Sequence, residues 1–319
     1  MNHSRDRDDD IPPHGEVHGT DGEYPLDFND LHPRARHDPQ AFDEGVHDDP
    51  SVDPDLPWDS SDVAAGSAAE TSADAAISRA PETYWTASRA PLESLLFTMP
   101  LVLFYEAGVL YLGRGMPRNG ADVWLRTLLD RLGFGAYFLL PAATILGLLA
   151  WHHLQHDRWR FSGRVLVGMA VESLLLATLL IGLAGLQQSL WPESWAAPLR
   201  CEIPADRDFV VEAARRMVGF CGAGLYEEVL FRLLLLPTLA WLLGRLGFAP
   251  SLAWFVGVIA SSLLFSAAHY VGPFGEPLEL FSFTFRTIAG CFFGLLFLVR
   301  GFGITAGTHA AYDMLVGLA

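Results

Sequence analysis

The sequence contains no lysine: all 21 of its basic residues are arginine. With abundant Ala, Gly and Leu, this is the coding signature of a GC-rich genome, and it points to a bacterial source. Cysteine is scarce, at three in 319 residues. Cys201, Cys221 and Cys291 are widely spaced, and an odd number without a pairing pattern argues against a disulfide framework. Net charge is missing from most of the chain. Residues 1–80 hold 20 Asp/Glu and 5 Arg, a net of -15, whereas residues 81–319 hold 17 and 16, a net of -1. This split reconciles a net charge of -16 with a mean hydropathy of +0.26. It excludes one soluble globular domain. It also excludes a nucleic-acid partner, which would need a basic face.

Residues 1–85 are rich in Asp, Pro, His and Ser and poor in aliphatic side chains. Such a segment buries too little apolar surface to offset chain entropy, so a disordered acidic tail and linker is expected. No apolar run follows a basic start, so no cleaved signal peptide is expected. Six of the 11 histidines fall in this tail at spacings that fit no ordered metal site.

Residues 86–319 read differently. Apolar runs occupy 92–113, 132–151, 165–187, 222–243, 251–269, 281–299 and 303–319. Each is about 17–23 residues, the length a helix needs to cross a bilayer core. They lack the alternation of barrel strands, and a lipid-embedded backbone leaves only the helix as the other solution. The expected fold is all-α: a polytopic transmembrane bundle of about seven spans. One or two interfacial helices are expected over 121–131 and 207–221, where polar residues recur along one stripe. Lipid is the implied partner and the bacterial cytoplasmic membrane the implied location. Arginine is shared almost evenly between the two sets of connecting segments, which fixes no orientation.

A charge at the bilayer centre costs at least about 2.5–3.5 kcal/mol, so ionisable residues in the spans need a reason. Six of them fall into three short groups on separate helices. In EEVLFR, Glu228 and Arg232 stand at i and i+4 and can pair, while Glu227, about 100° around the helix, is left free. In FSAAH, Phe265 and His269 share a face across three small residues that allow close helix approach. In HAAYD, His309 and Asp313 are again at i and i+4. One reading is a set of interhelical hydrogen bonds. The other is a site assembled from separate helices. Glu106, Glu172 and Arg286 fall in no group and are expected to face other helices.

These three groups, in this order, resemble the CPBP family of intramembrane proteases. That family includes the type II CAAX prenyl endopeptidases and the bacteriocin-processing, Abi-like proteins, and its pattern is EExxxR, FxxxH, then HxxxN or HxxxD. The resemblance covers about residues 210–319 and implies hydrolysis of a peptide bond in a membrane-embedded or membrane-associated protein or peptide. It implies Glu227 as the base that activates water, with His269 assisting. His309 and Asp313 would bind the oxyanion or complete the site. Glu228 and Arg232 would form an orienting pair, with Phe265 packed beneath His269. Some members carry Asn where this chain has Asp313. An ionised Asp cannot donate a hydrogen bond, so Asp313 is protonated, orients His309 or ligates a metal. Glu227, His269, His309 and Asp313 are also the donor types of a divalent-metal shell. A zinc ion and no cofactor at all both stay open, and no HExxH motif favours zinc.

Two other functions fit a polar cluster in a membrane. A transporter should show internal repeats and broken helices in matching positions, and no repeat is present. A non-catalytic scaffold for immunity or partner binding should have lost motif residues, and none is lost. Prenylated CAAX substrates are not implied for a bacterial host.

Overall fold

A computed structural model of the chain describes residues 83–113, 118–135, 137–155, 159–191, 209–272 and 275–317, all within one compact unit, Asp48–Ala319. The expected acidic tail lies outside the described residues apart from 83–85. Every regular element among them is helical. A short helix α1 (Tyr84–Ala87) precedes α2 (Pro91–Leu112), α3 (Gly120–Arg131), α4 (Leu139–Leu154) and α5 (Gly163–Leu190). Next come α6 (Phe209–Gly222), two π-helical stretches (Ala223–Glu227 and Val229–Leu235) and α7 (Leu236–Arg245). The chain closes with α8 (Pro250–Ala268), α9 (Leu280–Arg300) and α10 (Phe302–Gly317).

Four helices, α2, α5, α8 and α9, are long and apolar enough to cross a membrane. Three further runs of spanning length in the sequence correspond to shorter elements: α4, the π-helical stretch leading into α7, and α10. The outward faces are apolar, with Val167 and Leu175 each 66% exposed. A surface of this kind suits lipid tails rather than water.

Small residues set the helix spacing around the site. α8 packs closely on α9, and α10 lies against α5, α2 and the first π-helical stretch. A side chain on Gly290 of α9 would come within 2.8 Å of Ser262 Cβ on α8, and one on Gly294 within 3.0 Å of Val258. Gly290 and Gly294 thus form a small-xxx-small seam, the usual way for membrane helices to approach. Gly224 meets α10 in the same manner. At the far end of α9, Gly301 takes a positive φ of 81° and turns the chain directly into α10.

One expected interfacial helix is partly inverted. In α3, Asp122 is fully buried and Arg126 partly so, while Val123, Trp124 and Leu128 are exposed. The start of the polar stripe thus faces inward, beside the buried Leu125, while its end at Asp130 and most of the apolar side are exposed. Asp122 accepts from Arg118 at 2.7 Å, from Arg126 Nε at 2.5 Å and from the Tyr105 hydroxyl at 2.9 Å. Burial alone would lower the Arg118 guanidinium, but the hydrogen bond and charge of Asp122 push it well above its ordinary value. Arg118 therefore stays charged at any working pH. Residue 85 is also part of the bundle rather than of a tail: Arg300 of α9 lies 3.8 Å over the Trp85 ring and pairs with Glu172 of α5 at 2.6 Å.

The contact at Gly224 generates a test. A Cβ there would lie 2.6 Å from the backbone nitrogen of Ala310, so α10 must shift. Gly224→Ala is expected to cost about 1–3 kcal/mol, as overpacking does, and to lower the melting temperature of the detergent-purified protein. An unchanged melting temperature would show that the two elements are not packed this closely.

Candidate active site

The three sequence groups meet. Glu227 ends the first π-helical stretch and Glu228 joins it to the second, Phe265 and His269 come from the end of α8, and His309 and Asp313 from α10. The widened turn was not expected, since the spacing argument assumed an α-helix. π-turns are rare and concentrate at functional sites. Here the wider turn carries Gly224, at the contact with α10, and Glu227 itself.

Glu228 is fully buried and Arg232 is 1% exposed. Arg232 Nε lies 3.1 Å from Glu228 Oε2 as an ion pair, and its Nη2 donates to the Gly290 carbonyl at 3.2 Å. The guanidinium sits 4.5 Å from the Phe265 ring centre and 5.4 Å from that of Phe293. These aromatic faces supply the cation–π attraction that a desolvated arginine needs. Phe265 is therefore a floor for Arg232 as well as for His269, whose ring it meets edge-on at 5.1 Å.

The two imidazoles are held by their Nδ1 atoms. His269 Nδ1 is 2.9 Å from the Phe265 carbonyl oxygen, and His309 Nδ1 is 2.7 Å from Glu228 Oε1. Both partners only accept, so both Nδ1 atoms donate. His269 Nε2 faces Glu227 Oε2 at 4.0 Å, and His309 Nε2 faces it at 3.8 Å. That Glu227 oxygen is buried with no hydrogen-bond partner among the described residues. Asp313 Oδ2 lies 3.7 Å from His309 Nε2, close enough to orient the ring. His309 stacks on Phe293 at 4.5 Å with 17° between the planes, which fixes its tilt. The side chains of His269 and Asp313 are 25% and 22% exposed, so the cluster is reached from their side.

The donor types suit a divalent cation, and the fixed Nδ1 atoms resemble the outer hydrogen bonds of metal-bound imidazoles. The grouping does not: among the described residues no three His, Cys, Asp or Glu side chains come together so as to hold a metal ion. As placed, the residues do not fit a resident metal.

Two contacts near the cluster escaped the sequence reading. Asn119, at the start of α3, donates from Nδ2 to Glu227 Oε1 at 2.8 Å. Tyr226 donates to Glu106 Oε1 at 2.7 Å, which also accepts from Arg126 at 2.7 Å. Glu106 therefore adjoins the site through the residue before Glu227. Glu172 pairs with Arg300 away from the cluster, whereas Arg286 pairs at 2.8 Å with Glu276, whose backbone N–H donates to the His269 carbonyl at 3.0 Å. Asn119 carries a helix-capping signal in the sequence, but nothing there links it to a carboxylate 108 positions away.

The ion pair can be tested by removing one half. Arg232→Met strands a buried carboxylate, which typically costs about 3–5 kcal/mol, so folded yield should fall sharply. Combining it with Glu228→Gln should recover part of that loss. A single variant that melts like the wild type would refute the pairing.

Residues 211–315 match the family model described as type II CAAX prenyl endopeptidase Rce1-like. No curated protein and no solved structure matches the chain. The four apolar helices and a membrane-protease family together support an integral membrane protein. The three motifs lie on one cluster and the match spans all of them, and this supports a CPBP family intramembrane protease over residues 211–315.

Proposed function

We propose that the protein is an intramembrane endopeptidase in which Glu227 and His269 activate water against a peptide bond of a membrane-associated protein or peptide. The observation that carries this reading is the convergence on Glu227 Oε2 of the Nε2 atoms of His269, at 4.0 Å, and His309, at 3.8 Å. The separations leave room for a water to bridge them rather than for direct bonds.

Such a water donates one hydrogen to Glu227 Oε2 and the other to His269 Nε2. As its oxygen attacks the peptide carbonyl, Glu227 takes the proton, the usual work of a positioned carboxylate base. The new C–O bond pushes charge onto the carbonyl oxygen. His309 carries a proton on Nε2 throughout and donates a hydrogen bond from it to that oxyanion, with Glu228 holding Nδ1 and Asp313 holding the ring's angle. A donor aimed at developing charge in a dry site is worth a few kcal/mol. The C–N bond then breaks, and the proton held by Glu227 passes to the leaving amine. Arg232 takes no part in the chemistry; its ion pair holds the Glu228 carboxylate in place to accept from His309.

The test is a cleavage assay on the full chain in liposomes with two reporters, a single-span membrane peptide and a farnesylated CAAX peptide. Wild-type protein is expected to cut at least one. Glu227→Ala and His269→Ala are expected to insert and melt normally with activity reduced by a factor of about 100 or more, since a lost general base costs roughly 10²–10⁴. Full processing by the Glu227 variant would refute the assignment.

A further inference from the structure

We infer that Asn119 is a positioning residue that fixes the rotation of the Glu227 carboxylate and so holds its free oxygen toward the imidazoles, a role that rests on Glu227 being the base. The terminal torsion of a glutamate is soft and roughly two-fold. Backbone geometry at 223–227 can place the carboxyl group but cannot choose its rotation. The Asn119 amide makes that choice. Its Nδ2 donates to Oε1 at 2.8 Å, and the opposite oxygen, Oε2, is left without a partner and turned toward His269 and His309.

The direction of this bond is fixed by chemistry. Asn119 Oδ1 accepts from the backbone nitrogen of Ala121 at 2.9 Å, capping α3. A backbone N–H requires the amide oxygen, so the amide nitrogen must point to the carboxylate. The residue is pinned a second time, because its own backbone N–H donates to the Tyr105 hydroxyl at 3.3 Å. Tyr105 in turn donates to Asp122, the buried acid that holds Arg118 and Arg126. The inward-facing start of the polar stripe of α3 thus ends in a rigid donor aimed at the site. Asn119 lies outside residues 211–315, so the catalytic carboxylate is set by a segment beyond the family-matched region.

Capping and positioning can be separated because serine and aspartate cap helices as well as asparagine does, yet neither offers an amide nitrogen. The full chain is assayed in liposomes with the two reporters named above. Asn119→Ser is expected to keep the wild-type melting temperature and KM while kcat falls roughly 10- to 100-fold, the worth of a hydrogen bond to a charged group. Asn119→Asp is expected to fall further, because it sets a second carboxylate against Glu227 Oε1. If Asn119→Ser and Asn119→Asp both match the wild type and only Asn119→Ala loses activity and stability together, capping is the whole role and the inference is overturned. A drop in activity that only follows a drop in melting temperature overturns it as well. Failure of the underlying reading has a different signature: a wild-type protein that cuts neither reporter, or a Glu227→Ala protein as active as the wild type.

Discussion

Arg232 has to be buried, and the architecture of the site follows from how it is accommodated. A guanidinium in the interior of a membrane bundle needs an anion, a hydrogen-bond acceptor and polarizable walls. Glu228 on its own helix supplies the first, the Gly290 carbonyl of α9 the second, and Phe265 and Phe293 the third. The same carboxylate then receives His309 from α10. One cation therefore ties together the π-helical stretch, α8, α9 and α10, the elements that carry the site. Close packing along Gly290 and Gly294 is a condition of this arrangement, because only a side-chain-free seam brings α9 near enough to both Arg232 and α8.

A second polar centre supports the first from the N-terminal side. Asp122 and Glu106 hold two arginines and two tyrosines among α2, α3 and the π-helical stretch. Lipid surroundings explain its orientation. With apolar solvent outside, polar groups gain most by turning to one another in the interior, and the start of the α3 polar stripe turns inward for that reason. The two centres meet around Tyr226 and Glu227, one contacting Glu106 and the other Asn119.

The parts of this site that were legible in the sequence are those governed by local rules in an apolar run. Glu228 with Arg232, Phe265 with His269 and His309 with Asp313 each follow from i, i+4 adjacency plus the cost of a charge in lipid. The helical class follows from run length, although three of the runs form shorter elements. What was not legible depends on tertiary packing. The widened turn at 223–235 arises where Gly224 meets Ala310, and helix periodicity carries no mark of it. The inward face of α3 was misjudged because an amphipathic pattern reports two faces without saying which one meets the solvent. Asn119 was missed because its bond spans a long sequence separation and ends on a residue type found at any helix start.

The two π-helical stretches also bear on how this segment tolerates change in length. A π-turn accommodates an extra residue within a helix, so the frame of the chain from Leu236 onward depends on those wider turns being present. Loss of one residue between 223 and 235 would let a π-turn revert to α geometry and keep the flanking helices in frame, but residues within the stretch on either side of the deletion would turn by about 100° relative to each other. Glu227 and Arg232 lie on either side of many such deletions. In this short stretch the number of residues matters as much as their identity, and insertion or deletion there is a harsher change than most substitutions.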